Sequence, residues 1–328
     1  MFSAIYIEEE VLESDRAQRL LDRFPHLPHV VCDRYGEVFN RKSQDFRLQK
    51  KSPALILAKK YGNKVLPAPD GYGYNESRSY YFSHMLNCVY DCRYCFLQGM
   101  YSSANYVLFV NYEDFETALD EKIRLNNGGG VYYSGYDCDS LALEPVSHFC
   151  KQFVPLFLKY PDAELEIRTK STQIRCLLEQ EPVSNCVIAM SFTPADIAAR
   201  LEHKVPSIEK RIEALYKLQQ SGWKVAIRFE PLLKSDAGVA AYEELFTQLF
   251  SKLDAQKLHS VSSGLFRMPI DFYKRIAKLY PDDELYAQAT QIEKGMISLK
   301  NDEESSQLAA MERLLFKHIS VQQYYRCA

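Results

Sequence analysis

The chain contains 328 residues, of which 47% are hydrophobic and 25% are charged, and its formal net charge is −3 at neutral pH. This composition supplies a large apolar core and excludes an intrinsically disordered chain. The apolar runs, such as the one at 225–229, are too short to span a membrane, and three glutamates follow residues 1–7, unlike a secretory signal. We therefore expect a cytoplasmic protein without a membrane partner.

The first 75 residues predict an irregular α/β region. Apolar spacing predicts an amphipathic helix over 12–24, and the segment 54–58 predicts a short strand or a helical turn. The sequence PAPDGYG at 67–73 is rich in turn residues and marks a boundary. A basic stretch also runs through this region, and its members are Arg34, Arg41, Lys42, Arg47, Lys50, Lys51, Lys59 and Lys60.

Strands and helices alternate over 76–290. The predicted strands are 81–86, 131–134, 164–168, 187–191, 224–229 and 257–261, and the predicted helices are 112–125, 144–158, 172–179, 207–221, 239–253 and 270–279. Six β–α units in a row predict an α/β fold in which right-handed crossovers curl a parallel sheet into a partial (βα)6 barrel. In such sheets the chemistry lies at the C-terminal ends of the strands. The segment 291–328 predicts a helical tail, with a helix over 303–317 and a short extended end.

Three of the nine cysteines, Cys88, Cys92 and Cys95, form a C-x3-C-x2-C motif directly after the first predicted barrel strand. Three thiolates can hold a 4Fe–4S cluster and leave one iron open to a cofactor. A structural zinc site is the alternative, but it needs a fourth Cys or His; His84 lies four residues upstream, and Cys138 is distant. Small core residues are the expected reading of Cys32, Cys150, Cys176 and Cys186.

The cysteine motif, with Tyr94 directly before the third cysteine, is similar to the signature of the radical S-adenosylmethionine (SAM) superfamily. In that superfamily SAM binds the open iron, and its reductive cleavage gives a 5′-deoxyadenosyl radical. Further segments resemble, in order, the spore photoproduct lyase family, which reverses a UV-induced thymine lesion in DNA. These segments are KSPALILAKK (51–60), CVYDCRYCFLQ (88–98), YVLFVNYEDF (106–115), SGYDCDSLALEPVS (134–147), EIRTKS (166–171), FRMP (266–269) and YP (280–281).

This resemblance implies two cofactors, a 4Fe–4S cluster and SAM, and two partners, a DNA substrate and an external electron donor of the flavodoxin or ferredoxin type. It also implies roles for residues at the strand ends, where a lysine is otherwise most often solvated and a serine most often caps a turn. The implied roles are the adenosine site for Tyr94, the SAM amino group for Ser134 and Gly135, a ribose hydroxyl for Asp139, the SAM carboxylate for Lys170, and the rest of the ring for Ser191 and Glu230.

Two positions depart from the family pattern. The lyases return a hydrogen atom from a cysteine at the position of Tyr136 in this chain, and Cys138 lies two residues later. Residues i and i+2 of an extended segment face the same side, so Cys138 is a candidate donor, although it can equally be a residue that only contacts SAM. The tyrosine that follows the third cysteine in the lyases is Phe96 here, and Tyr136 is a candidate to replace its hydroxyl.

Three classes of function therefore remain open. The first is a DNA-repair lyase or a related enzyme on nucleic acid, in which the basic stretch holds phosphates and Tyr132, Tyr133 and Tyr136 receive a flipped base. The second is a radical SAM enzyme that acts on a peptide, a lipid or a small metabolite, which a neutral or acidic cavity rim would favour. The third is a zinc-binding adaptor without catalytic activity.

Overall fold

The structure is a computed structural model that describes residues 2–74, 78–288, 290–299 and 302–327. Its strands are β1 (Ile5–Glu8), β2 (His29–Cys32), β3 (Leu55–Ala58), β4 (Val65–Pro67), β5 (Ser79–Phe82), β6 (Met85–Leu86), β7 (Asp91–Cys92), β8 (Tyr106–Phe109), β9 (Gly130–Ser134), β10 (Ala163–Thr169), β11 (Cys186–Ser191), β12 (Glu202–His203), β13 (Lys224–Leu232), β14 (Leu258–Leu265), β15 (Arg267–Pro269), β16 (Thr290–Glu293), β17 (Met296–Leu299) and β18 (Tyr324–Arg326).

The helices surround these strands. They are α1 (Asp15–Arg23), α2 (Tyr35–Phe39), α3 (Phe46–Lys51), α4 (Leu97–Met100), α5 (Tyr112–Leu125), α6 (Glu144–Ser147), α7 (Phe149–Phe153), α8 (Arg175–Leu178), α9 (Ala195–Leu201), α10 (Ile208–Gln220), α11 (Val239–Phe250), α12 (Ile270–Leu279), α13 (Glu284–Ala287) and α14 (Asp302–Leu315). In the described part of the chain, none of these helices is both long enough and apolar enough to cross a membrane.

The barrel sheet has the strand order β18–β14–β13–β11–β10–β9–β5–β4. All neighbouring strands from β18 to β5 are parallel, and β4 adds an antiparallel edge. Strands β5, β9, β10, β11, β13 and β14 follow one another in chain order, as right-handed β–α crossovers require, and the sheet curls into a half-barrel. The predicted α/β fold with a partial (βα)6 barrel is therefore confirmed.

A second sheet explains why the N-terminal region looked irregular in the sequence. Its order is β2–β1–β3–β8–β6, so strands from both sides of residue 75 share one sheet. The predicted strand 81–86 is in fact two strands, because β5 joins the barrel and β6 pairs with β8. The predicted helix 12–24 begins at Asp15, since the side chain of Ser14 caps it by accepting a hydrogen bond from the backbone N–H of Ala17.

Two predicted helices of the barrel region are shorter than expected. The segment 144–158 is split into α6, α7 and a 3₁₀ segment at Val154–Lys159. The break follows from His148, which has a left-handed backbone conformation with φ 51°. The segment 172–179 is helical only in α8.

The C-terminal segment contains more than the predicted helix. Strands β16 and β17 form a hairpin that pairs with β15. After α14, the extended end forms β18, which pairs in parallel with β14 through Val261 opposite Tyr324. This pairing brings Cys327, the next residue after β18, to the C-terminal end of the barrel strands, where its N–H donates a hydrogen bond to the carbonyl of Ser263 at 2.8 Å.

Candidate active site at the C-terminal ends of the barrel strands

A cavity of about 310 Å³ lies where the barrel strands end beside the cysteine loop. Eleven of the twelve side chains singled out in the sequence line it. They are Cys88, Cys92, Tyr94, Cys95, Gly135, Tyr136, Cys138, Asp139, Lys170, Ser191 and Glu230. The remaining one, Ser134, is buried beneath the wall. As the strand-end rule for parallel sheets predicts, residues that are far apart in the chain meet at this end of the barrel.

The cysteine loop is held in place by a distant segment. Its strand β7 pairs antiparallel with β12, which lies between α9 and α10, so that Cys92 is opposite Glu202. The backbone N–H of Arg93 also donates a hydrogen bond to the carbonyl of Leu201 at 2.8 Å. The conformation of the loop thus depends on the fourth crossover of the barrel.

Lys50 also supports this loop. This residue belongs to the predicted basic stretch, yet it is only 8% exposed. Its ammonium donates hydrogen bonds to the carbonyls of Cys88 at 3.1 Å and of Tyr90 at 3.0 Å. The expectation of a solvated, phosphate-binding lysine is therefore wrong at this position.

The three cysteines fit an iron–sulfur cluster better than a single zinc ion. All three line one cavity, but their sulfur atoms do not all lie within 4.8 Å of one another, as a mononuclear site requires. A cubane is a larger body that holds its ligands farther apart. Burial, helped by the charge of Asp139, raises the pKa of Cys88 to about 12, so a bound cation would be needed to favour the thiolate form.

His84 does not supply a fourth ligand. It is fully buried, it does not line the cavity, and its ring stacks on Phe149 with centroids 4.4 Å apart. The zinc alternative thereby loses the histidine that the sequence offered for it.

Lys170 presents a positive charge to the cavity. Its Nζ lies 5.4 Å from the ring centroid of Tyr94, and no carboxylate of a described residue lies within salt-bridge distance of it. Although burial acts to lower it, the charges of Cys92 and Glu202 raise the pKa of Lys170. An unpaired ammonium in such a place fits the carboxylate of an amino-acid ligand.

Asp139 shapes the loop after β9 with both of its carboxylate oxygens. Oδ1 accepts three hydrogen bonds and Oδ2 accepts a fourth, so little acceptor capacity is left for a ribose hydroxyl. This geometry favours a positioning role over the ribose contact that the resemblance implied. The four donors are the N–H of Leu141 at 3.0 Å, the N–H of Ala142 at 2.9 Å, the hydroxyl of Thr169 at 2.7 Å and the N–H of Lys170 at 2.6 Å.

Ser134 and Gly135 differ in their access to the cavity. The hydroxyl of Ser134 is fully buried and lies 2.8 Å from the hydroxyl of Ser140, so it does not reach the cavity and the implied contact with SAM is not formed by this side chain. Gly135 has φ 85°, and a Cβ atom there would lie 2.4 Å from Ser140 Oγ. Only glycine fits, and its backbone forms part of the cavity wall.

Ser191 and Glu230 complete the ring of strand ends. The side chain of Ser191 makes no hydrogen bond to a described residue and lines the cavity. Glu230 accepts hydrogen bonds from Arg168 at 3.0 Å, from Cys327 Sγ at 3.0 Å and from Ser262. Although burial opposes it, Arg168 lowers the pKa of Glu230, which keeps this carboxylate ionised.

The family assignment rests on the sequence. Residues 74–296 match the sequence profile of the family described as spore photoproduct lyase. The chain belongs to the spore photoproduct lyase family. That family is a branch of the radical SAM superfamily.

Two relatives show how far this chain differs in sequence from other members of the family. The chain is 25% identical over 211 residues to the spore photoproduct lyase of Clostridium acetobutylicum, which covers 64% of this chain and 62% of that protein. It is 22% identical over 293 residues to the spore photoproduct lyase of Bacillus subtilis strain 168, and this match covers 86% of this chain and 83% of that protein. The match to the Clostridium relative thus spans less than two thirds of its length.

Solved structures of this family share the fold. A spore photoproduct lyase variant with bound AdoMet and dinucleoside spore photoproduct has a TM-score of 0.85 at 17% identity, with 100% of this chain and 98% of that chain covered. A spore photoproduct lyase complexed with dinucleoside spore photoproduct has a TM-score of 0.85 at 18% identity, with the same coverage. These identities establish the fold alone.

The two departures from the family pattern are neighbours in space. The rings of Tyr136 and Phe96 pack with their centroids 5.4 Å apart, and Tyr81 and Tyr72 pack on Tyr136 at 4.5 Å and 5.5 Å. Cys138 is 4% exposed, lines the cavity, and has a thiol pKa that burial raises. The phenol of Tyr136 therefore lies beside Phe96, whose ring has no hydroxyl.

The prediction that Tyr132 and Tyr133 receive a base is wrong. Both are completely buried, and Tyr132 stacks on Tyr80 with centroids 5.4 Å apart. They are core residues of the barrel, which is the usual fate of aromatic side chains on central strands.

Sequence reasoning missed two cavity residues, Arg168 and Cys327. Arg168 donates to Glu166 at 2.6 Å and lies 4.2 Å from the ring centroid of Tyr72. Its position two residues after Glu166 on β10 was a usable signal, because such residues share a face. Cys327 had no local signal, since only the pairing of β18 with β14 brings it to the cavity.

Proposed function

We propose that this enzyme holds a 4Fe–4S cluster through Cys88, Cys92 and Cys95 and cleaves SAM reductively. The observation that carries the proposal is that these three cysteines and an unpaired Lys170 line one cavity at the barrel strand ends. When bound, the cluster supplies an electron to SAM, whose cleavage gives the radical that starts the reaction. An external donor of the flavodoxin or ferredoxin type and a cytoplasmic location are part of this proposal.

The chain's own residues would orient SAM from several sides. Lys170 pairs with the carboxylate, and the backbone at Gly135 contacts the amino group. The ring of Tyr94 is available to the adenosine, because its hydroxyl is already bound to Glu202. The hydroxyl of Ser191 is free of protein partners among the described residues and offers a further polar contact.

We propose that the substrate is a damaged thymine in DNA. The named relatives support this, since they are spore photoproduct lyases and one solved structure contains a dinucleoside spore photoproduct. The cavity also has more positive than negative side chains, which fits a nucleotide better than a neutral metabolite. The cations available to a ligand are Arg168, Lys170 and Arg267, and the anions are Asp139 and Glu230.

The cavity mouth offers both components of nucleic-acid binding. Arg47 is exposed on α3, a helix whose Phe46 and Lys50 line the cavity, and Arg267 is an exposed residue of the cavity lining. These arginines are placed to contact phosphates beside a base that has been flipped into the cavity, where Tyr136 contributes a ring.

For the return of hydrogen we propose Cys138 as the donor. The S–H bond breaks, a C–H bond forms on the product radical, and the sulfur is left as a thiyl radical. Tyr136 would then restore the thiol by giving its phenolic hydrogen atom to the sulfur, which moves the unpaired electron from Cys138 to the tyrosine. Tyr136 thereby takes the part of the hydroxyl that Phe96 lacks.

Anaerobic reconstitution tests this function. Protein with iron, sulfide, SAM and dithionite is assayed for 5′-deoxyadenosine, with an oligonucleotide that contains spore photoproduct, with undamaged DNA, or with no DNA. We expect substrate-dependent SAM cleavage and restored thymines. Cys92→Ala should lose iron and cleavage together, whereas Cys32→Ala should keep both. Cleavage retained in Cys92→Ala would refute the cluster assignment, and cleavage that damaged DNA does not change would refute the substrate.

A further inference from the structure

A second group of metal-binding side chains lies outside the cavity. Among the described residues, Glu144, Cys150 and Cys176 are the one set of three or more such side chains whose ligand atoms all lie within 4.8 Å of one another. They come from α6, α7 and α8, respectively. None of them lines the cavity that contains Cys88. The group is therefore separate from the site of the proposed radical chemistry.

The carboxylate of Glu144 lacks a counter-charge. The residue is 4% exposed, and no Lys, Arg or His in the described part of the chain lies within salt-bridge distance of it. Its oxygens accept the backbone N–H of Cys150 at 3.1 Å and 3.3 Å, and the Cys176 thiol lies beside them. Buried carboxylates are normally paired, protonated or bound to a metal. Two thiols whose sulfur atoms lie within 4.8 Å of the carboxylate favour the metal.

We propose that Glu144, Cys150 and Cys176 bind one Zn²⁺ ion. Zinc accepts thiolate at about 2.3 Å and carboxylate at about 2.0–2.2 Å in a tetrahedral arrangement, which this compact group matches. Thiolate ligands select zinc over magnesium or calcium.

The position of the site gives it a structural role. Helices α6 and α7 belong to the crossover after β9, and α8 belongs to the crossover after β10. An ion here would join two neighbouring crossovers. The segment from Gly135 to Asp139, which lines the cavity, continues directly into Glu144. The ion would therefore fix the distal end of the loop that bears Tyr136 and Cys138.

Metal analysis of the full-length protein tests the site. Protein purified anaerobically with Zn²⁺ present is analysed for zinc and iron by mass spectrometry. We expect one zinc per chain in addition to cluster iron, and loss of that zinc in Cys176→Ser with iron unchanged. Cys176 is half-buried on a short helix, so this variant should fold. Cys32→Ser is the matched control, since Cys32 lies on β2 in the other sheet and should keep both metals.

Two further measurements make the outcome decisive. Zinc should raise the thermal unfolding midpoint of chelator-treated wild type and leave that of Cys176→Ser unchanged, and Glu144→Gln should weaken zinc binding at least tenfold. Wild type that binds no added zinc, or Cys176→Ser that binds it as tightly, would overturn the proposal. So would zinc that is lost in Cys92→Ala instead, because the cluster loop would then be its site. Iron content and SAM cleavage are read separately, so a failed zinc site leaves the radical function untouched.

Discussion

The phenol of Tyr94 donates a hydrogen bond to the buried carboxylate of Glu202, and this contact connects the cysteine loop to a segment more than a hundred residues away. Glu202 is in turn paired with Arg211 at 2.6 Å, and both side chains are 1% exposed. The strand pairing of β7 with β12 runs through the same place. The geometry of the cysteine loop therefore depends on a buried ion pair that forms no hydrogen bond to the sulfur atoms of Cys88, Cys92 or Cys95.

Arg211→Met tests this dependence. The variant leaves Glu202 buried without its cation, which costs about 3–5 kcal/mol of unfolding free energy when one partner of a buried pair is removed. We expect a lower urea midpoint and a reduced iron content after reconstitution. Arg175→Met is the control, because its pair with Glu179 is exposed to solvent and should contribute little to stability. Equal midpoints and equal iron in the two variants would contradict the argument.

Asp139→Asn tests the positioning role of this carboxylate. Hydrogen bonds to a charged acceptor contribute about 1.5–3 kcal/mol, so losing the charge should weaken the loop after β9. We expect lower thermal stability together with weaker SAM binding in calorimetry. A direct ribose contact would instead weaken SAM binding and leave the stability of the SAM-free protein unchanged, which would reverse our assignment.

Cys138→Ala tests the hydrogen donor. The variant should cleave SAM and yield aberrant products instead of intact thymines, because the product radical is quenched by other species. Cys327→Ala is the matched control, since its thiol lines the same cavity but is bound to Glu230. Normal product from Cys138→Ala and aberrant product from Cys327→Ala would assign the donor role to Cys327.

Arg267→Ala tests the DNA-binding rim. Removing one phosphate contact should weaken binding to all duplexes alike and reduce the slope of log K against log salt by about 1. The measurement is fluorescence anisotropy over a salt series. Arg175→Ala, exposed and outside the cavity, should leave the slope unchanged. An unchanged slope in Arg267→Ala would remove this arginine from the interface.

His84 makes stability depend on pH. Burial lowers the pKa of His84 to about 3, and neither ring nitrogen has a hydrogen-bond partner in the described structure. The unfolded chain binds a proton near its ordinary pKa of 6.5, so stability falls by about 1.4 kcal/mol per unit as pH drops from there towards 3. His84→Phe should remove this contribution in urea titrations at pH 7, 6 and 5. Identical pH dependence in the variant would disprove it.

The sequence predicted the repeating units and the strand-end site, because both follow from local patterns. Apolar periodicity located the six parallel strands. The strand-end rule then predicted that Lys170, Ser191 and Glu230 lie near the cysteines, and all of them line the same cavity. The predicted helix 112–125 coincides with α5, which has acidic residues in its first turn and basic residues in its last turn.

Contacts between distant segments could not be predicted in this way. No local pattern relates Lys50 to the carbonyl of Cys88, or pairs β18 with β14. The sequence also could not show which tyrosines are buried. Tyr132 and Tyr133 lie within a strand and are buried, whereas Tyr136 follows that strand and lines the cavity. Cys150 and Cys176, expected to be core residues, meet Glu144 only once two crossovers pack together.

The packing of Tyr136 on Phe96 means that these two positions must be engineered as a unit. Replacing Tyr136 by cysteine alone would remove a ring that Tyr72, Tyr81 and Phe96 all contact, and would leave a void that water or substrate fills. Converting Phe96 to tyrosine alone would crowd two phenols into one corner. A chimera with the relatives' arrangement therefore needs both exchanges in the same protein.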